Sequence, residues 1–190
     1  MDKNRQSIRL KDYDYSKSGL YFVTICTENR ECLLGNIVGA NHDSPVPKMI
    51  LNDIGKIVND VLLTIPKRFD NVELDEFVIM PNHMHLILII RAPVRVIHES
   101  PHRRFTQRGD KRQLLPQCIG YLKMNSSKKI NQYVRAHHDA PQQAPQSQKI
   151  FQRNYYEHII RTENDLNKIR EYIINNPLMW DRDRNNLLYN

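Results

Sequence analysis

Hydrophobic and polar positions along the chain alternate between two periods. Residues 20–27, LYFVTICT, are dense in β-branched and aromatic side chains and predict a strand between two turn-forming stretches, DYDYSKSG and ENRECLLG. NHDSPVPK (41–48), with two prolines among small polar residues, predicts a loop. From residue 51 the spacing changes to three and four. Ile54, Ile57, Val58, Val61, Leu62 and Ile65 predict an amphipathic helix, capped by Asn52 or Asp53 and ending near Pro66. VELDEFVIM and HLILII flank a short polar break, PN, and predict a hairpin or a bent strand pair. A second helix is expected across LPQCIGYLKMNSSKKINQYVRA, with Ile119, Leu122, Ile130 and Val134 facing inward. KIFQRNYYEHIIR reads as a last extended segment. TENDLNKIREYIINNP is the best-marked helix, with Thr162 or Asn164 as cap, acids in its first turn and Pro177 as its stop. The expected hairpin argues for a mixed or antiparallel sheet, so the fold class is α+β, one sheet with helices packed on it. No internal repeat is present. The chain reads as a single domain over 1–190, with loops near 40–50, 92–114 and 136–148.

Composition narrows the classes. The 190 residues are 40% hydrophobic, enough for one core. No apolar run reaches the roughly 18–20 residues of a spanning helix, and no apolar leader opens the chain, so no membrane role is expected. Cys26, Cys32 and Cys118 form neither a disulfide framework nor a zinc pattern, and a reducing cytoplasm is the expected compartment. The net charge of +7 points to polyanionic partners. Its distribution is one-sided: between residues 91 and 135 only Glu99 and Asp110 oppose a run of cations. Arg103, Arg104, Arg108, Lys111, Arg112, Lys123, Lys128 and Lys129 are the candidate phosphate contacts, to nucleic acid or an anionic membrane surface, against the simpler reading of a solvated face.

The chemistry concentrates in VIMPNHMHLILII. Residues i and i+2 of a strand share a face, so His83 and His85 project together while Met84, Leu86 and Leu88 fill the other side. Side-by-side imidazoles can share one metal ion, usually completed by an oxygen ligand and water. A bare His-x-His is more often structural and needs company. The last helix offers it: Ile169, Tyr172, Ile173 and Asn176 lie on one face, with Tyr172 and Asn176 one turn apart. By spacing alone the simpler reading is a core-edge aromatic and a helix-terminal asparagine before Pro177.

VIMPNHMHLIL, followed far downstream by YYEHIIRTENDLNKIREYIINNPLMW and preceded by YFVTICTENR, resembles the single-tyrosine HUH transposases. The similarity is greatest to the REP-associated tyrosine transposases and covers roughly residues 20–180. It implies an antiparallel sheet with a ferredoxin- or RRM-like core. It also implies His83, His85 and Asn176 as ligands of a divalent metal, Mg or Mn, and Tyr172 as nucleophile. The implied activity is cleavage and rejoining of hairpin-flanked single-stranded DNA through a 5′-phosphotyrosine, by a homodimer or monomer. Tyr121 is the alternative nucleophile should the alignment be wrong. Tyr155 and Tyr156 read as packing or DNA contacts, and His158 as a structural hydrogen-bonding residue. Arg153 and Arg161 divide evenly between phosphate contact and solvent. The rival function is a non-catalytic DNA- or RNA-binding protein on an RRM-like sheet, using exposed aromatics and the basic loop.

Overall fold

The two periods read from the sequence become two kinds of element on one sheet. The computed structural model describes residues 18–39, 46–92, 113–137 and 149–186. β1 (Gly19–Cys26) is the strand expected from LYFVTICT. β4 (Val72–Ile79) and β5 (His83–Ile90) form the expected hairpin around Pro81 and Asn82. β6 (Tyr156–Ile160) lies within the last extended segment. These four strands form a sheet in the order β4-β5-β1-β6, with every neighbouring pair antiparallel. The class is α+β, and the order is that of a ferredoxin-like split βαβ arrangement, as the resemblance implied.

Helices α1 (Asp53–Leu62) and α3 (Leu114–His137) pack against each other and close one face of this sheet. Their Val58, Val61, Leu62, Leu115, Ile119, Leu122 and Ile130 bury with Tyr21, Val23, Ile25, Met84, Leu86 and Leu88. The opposite face carries α4 (Glu163–Asn175), whose Leu166 and Ile173 cover Phe22, Ile87 and Ile160. Strand alternation therefore divides β5 between two cores and turns the side with His83, His85 and Ile87 toward α4.

Caps follow the sequence. Asn52 Oδ1 accepts from the Gly55 N–H at 2.9 Å, and Thr162 Oγ1 accepts from the Asp165 N–H at 3.1 Å. Other boundaries differ. Residues 48–50, assigned to the loop near 40–50, and Leu51, read with the first helix, form β3 (Lys48–Leu51), which pairs with β2 (Gly35–Val38) in a separate hairpin. Each strand is four residues long, too short for alternation to show. Pro66 does not end the first helix. α1 breaks at Leu63, and Pro66 sits in the first turn of α2 (Ile65–Arg68), where its missing N–H has no intrahelical partner to lose. The α-helix α4 does end where Pro177 was expected to stop it, at Asn175, and the chain continues as a 3₁₀ turn over Asn176–Arg182. His137, read as the start of a loop, completes α3.

Two glycines make the second hairpin and α1 fit together. Gly35 has φ +144, and a Cβ there would lie 2.1 Å from the Ile50 carbonyl oxygen. A Cβ on Gly55 would lie 2.0 Å from the carbonyl oxygen of Leu34, the oxygen that also accepts from the Asn52 N–H. Both obstacles are backbone. Gly55→Ala is therefore expected to destabilise the fold by about 2–3 kcal/mol. In a domain of this size that is on the order of 5–10 °C in Tm, read by thermal denaturation.

Candidate active site

The polar break between β4 and β5 builds the site. The Met80 N–H donates to the His83 carbonyl at 2.8 Å, closing the turn, and Asn82 is fully buried beneath it. Asn82 Nδ2 donates to the carbonyls of Arg30 (3.0 Å) and Asn185 (2.7 Å). This fixes its amide, leaving Oδ1 to accept from His83 Nδ1 at 2.9 Å. The His83 proton is therefore on Nδ1, and Nε2 presents a lone pair. The Arg30 carbonyl reaches Asn82 because Asn29 and Arg30 both take left-handed conformations (φ 52 and 55). Backbone of this kind costs roughly 1–2 kcal/mol per non-glycine residue.

His85 is oriented by Thr24, opposite it in the β1–β5 register, through a 2.8 Å contact between Oγ1 and Nδ1. Its Nε2 lies 3.1 Å from His83 Nε2. A hydroxyl can donate or accept, so His85 can offer an N–H to His83 or, with its proton on Nδ1, a second lone pair. In the second state two nitrogen lone pairs converge at the spacing of adjacent ligands on one cation. Burial keeps both rings neutral. It carries His83 down to about 4 and, with His83 beside it disfavouring a second proton, holds His85 well below its ordinary range.

Two side chains complete the cluster. Asp183 is buried, with Oδ2 3.7 Å from His83 Nε2, and one donor atom from each of His83, His85 and Asp183 falls within 4.8 Å of the others. Asn176 is 1% exposed and its Oδ1 has no hydrogen-bond partner. A buried amide oxygen without a donor is costly, and a cation would satisfy it. Two neutral imidazoles, a carboxylate and an orphaned amide oxygen fit a divalent ion.

Tyr172 reaches the same point from α4. Its phenol contacts His85 Nε2 at 3.2 Å, and its ring meets Phe22 edge-on at 6.1 Å. Burial, reinforced by the Asp183 carboxylate and opposed by Asn176 and Arg184, raises its pKa above the ordinary value of 10.0, so it is a neutral phenol at pH 7. Trp180 lies nearly parallel to the His83 ring, at 6.1 Å and 26°.

A bulge sets the position of α4. Between the pairs Leu74↔Leu88 and Phe77↔Leu86, two β4 residues oppose the single Ile87. Asp75, one of the two, takes both Nε (3.0 Å) and Nη2 (2.7 Å) of Arg170 on one carboxylate oxygen. This half-buried pair anchors α4 two residues before Tyr172. Asp75→Ala is expected to lower stability by about 1.5–3 kcal/mol, measured by urea unfolding, and to speed amide exchange in α4 more than in β5.

The basic candidates part company. Arg103, Arg104, Arg108, Lys111 and Arg112 lie outside the described residues. Lys128 and Lys129 are exposed on α3, across the sheet from the histidines. Lys123 is not a free cation. Its ammonium donates to the carbonyls of Gln152 (2.9 Å), Asn154 (2.9 Å) and Arg153 (3.3 Å), and burial lowers its pKa to about 8. It clamps the segment leading into β6. Tyr121 contacts Thr64 Oγ1 at 3.2 Å and packs edge-on against Phe69, a structural role. His158 is bound to Asp165 at 3.0 Å, as a structural hydrogen bond should be. Asp183, Asn82, Thr24 and Trp180 were not singled out from the sequence; Asn82 alone carried a local signal, as the polar residue immediately before the histidines.

A four-stranded antiparallel sheet with two helices on one face, and on the other a helix carrying a tyrosine to a His-x-His strand, defines an α+β protein with the fold of a REP-associated tyrosine transposase. The solved structure of such a transposase bound to a REP hairpin matches with a TM-score of 0.51 at 16% identity, covering 94% of this chain and 73% of that one. In sequence, the chain is 40% identical over 182 residues to a Haemophilus influenzae protein described as uncharacterized, covering 95% of this chain and 92% of the relative, and it belongs to the same family as that protein. No family model matches the chain.

Proposed function

We propose that this protein is a transposase of the single-tyrosine HUH type, which cleaves and rejoins hairpin-flanked single-stranded DNA. The observation that carries the reading is the meeting of Tyr172 with His85 Nε2, 87 positions away in sequence and 3.2 Å away in space, where His85 Nε2 in turn lies 3.1 Å from His83 Nε2. His83, His85 and Asn176 would hold a divalent ion, Mg or Mn, with Asp183 as a further oxygen donor. Bound there, the ion supplies Lewis-acid stabilisation of charge developing on a phosphodiester.

The remaining roles belong to the chain. Asn82 and Thr24 orient the two imidazoles. Tyr172 supplies the nucleophilic oxygen: its O–P bond forms, the P–O3′ bond breaks, and the 3′ oxygen leaves as a hydroxyl. The phenol loses one proton and the leaving oxygen gains one. The product is a 5′-phosphotyrosine, which a 3′-hydroxyl can attack to rejoin strands. Arg30 and Arg184, close enough to oppose protonation of His83, are placed to balance phosphate charge.

The rival reading, a non-catalytic binder using an RRM-like sheet face, is disfavoured by α4, which covers Phe22 and Ile87 on the face where bases would stack. The test is incubation with 3′-labelled single-stranded hairpin DNA and Mn or Mg. A denaturant-resistant protein–DNA adduct is expected. DNA binding with no adduct under either metal would favour the binder.

A further inference from the structure

Beside the histidines lies a second concavity, of about 310 Å³, which the chemistry above does not use. Its walls come from separate parts of the chain: Asn36 on β2, Pro81 in the β4–β5 turn, Pro177, Trp180 and Asp181 in the 3₁₀ turn, and Asn186 beyond it. The volume is at the lower end of small-ligand sites, roughly 300–1,000 Å³, and suits a single flat heterocycle. The wall at Trp180 is held in place, because the Trp180 carbonyl accepts from Asn186 Nδ2 and from the Asp183 N–H, each at 3.1 Å. Since Trp180 also stacks on His83, an occupant of this pocket would sit one aromatic ring away from the proposed scissile phosphate.

The lining selects the kind of occupant. Among the described residues it contains no lysine or arginine, and Asp181 adds a negative charge, so a phosphate is disfavoured there. An indole and prolines offer flat apolar surface for an unstacked base. A carboxylate accepts hydrogen bonds and cannot donate them, and so favours a base edge bearing an amino group.

We infer that this pocket receives one unpaired nucleobase of the DNA strand beside the cleaved phosphate, stacked near Trp180, and selects amino-bearing bases over thymine through Asp181. The inference rests on the single-strand DNA reading above and deepens it by locating part of its sequence preference.

Trp180 is the single tryptophan of the chain, so its fluorescence reports the pocket directly. Full-length Tyr172→Phe protein is titrated with single-stranded octamers of deoxycytidine, deoxyadenosine, thymidine and abasic deoxyribose phosphate. Fluorescence and the anisotropy of a labelled strand are followed together. Deoxycytidine and deoxyadenosine octamers are expected to quench Trp180 and to bind roughly fivefold to a hundredfold more tightly than thymidine octamers. The abasic strand should not quench. Asp181→Ala should erase the preference while leaving stacking quench intact, and Trp180→Phe should keep the preference measured by anisotropy, which guards against a fold defect. Tight binding by anisotropy with unchanged fluorescence, or equal quenching by all four strands, overturns the pocket assignment and leaves the transposase reading standing. Failure of every strand and of hairpin DNA to bind overturns both.

Discussion

Tyr172→Phe is expected to abolish the covalent protein–DNA adduct and to reduce strand cleavage at least roughly a thousandfold, the scale seen when a nucleophile is removed. The substitution deletes one oxygen from a side chain that is 43% exposed and leaves the ring against Phe22 and His85. It removes the half-buried hydrogen bond to His85, so thermal stability should change by about 1 kcal/mol or less. Hairpin DNA affinity should be nearly unchanged. The measurement is adduct formation and single-turnover cleavage with radiolabelled hairpin DNA, beside anisotropy binding. Adduct persisting in the variant, with Tyr121 recovered as the modified residue, would sink the assignment of Tyr172.

The second large effect concerns the histidines. His83→Ala and His85→Ala should each lower Mn affinity by more than the roughly 10–100-fold that loss of an orienting partner costs, with Asn82→Ala falling within that range. Calorimetry or Mn electron paramagnetic resonance on the free protein reads this without reference to cleavage. The pH dependence follows from burial. Because His83 is carried down to about 4 and His85 is also depressed, the folded chain holds fewer protons than the unfolded chain between about pH 4 and pH 6.5. Stability from these sites is fully present above about pH 6.5 and is lost as pH falls through that window. Metal affinity should accordingly persist to about pH 5, below the midpoint of an exposed histidine, and fail as the rings protonate. A midpoint near 6.5 would show that the imidazoles are accessible to water.

Some of the site was legible because it depends on local periodicity. Strand alternation alone put His83 and His85 on one face, and helix spacing alone put Tyr172 beside Asn176 and the buried Ile173. The resemblance then linked the two segments. Asp183 gave no signal, because an acid in a short polar stretch is ordinary until the chain turns back under the histidines. Lys123 misled for the converse reason: within a basic run its sequence environment matches that of Lys128 and Lys129, and only the carbonyls of residues 152–154 distinguish it.

What the sequence by itself determined are the strands of the four-stranded sheet, the long helices on it, their caps and the face each side chain takes, since these follow from backbone geometry within a few residues. Only the tertiary structure decided which faces meet. The bulge opposite Ile87 aims Asp75 at Arg170, Asn82 selects the His83 tautomer, and the 3₁₀ turn lays Trp180 and Asp183 against it. Those contacts join residues 87 to 103 positions apart where the separation is largest, for Tyr172–His85, Arg170–Asp75, Asp183–His83 and Asn185–Asn82. No periodicity reaches that far, because a side chain's distant neighbours are chosen by the packing of whole elements.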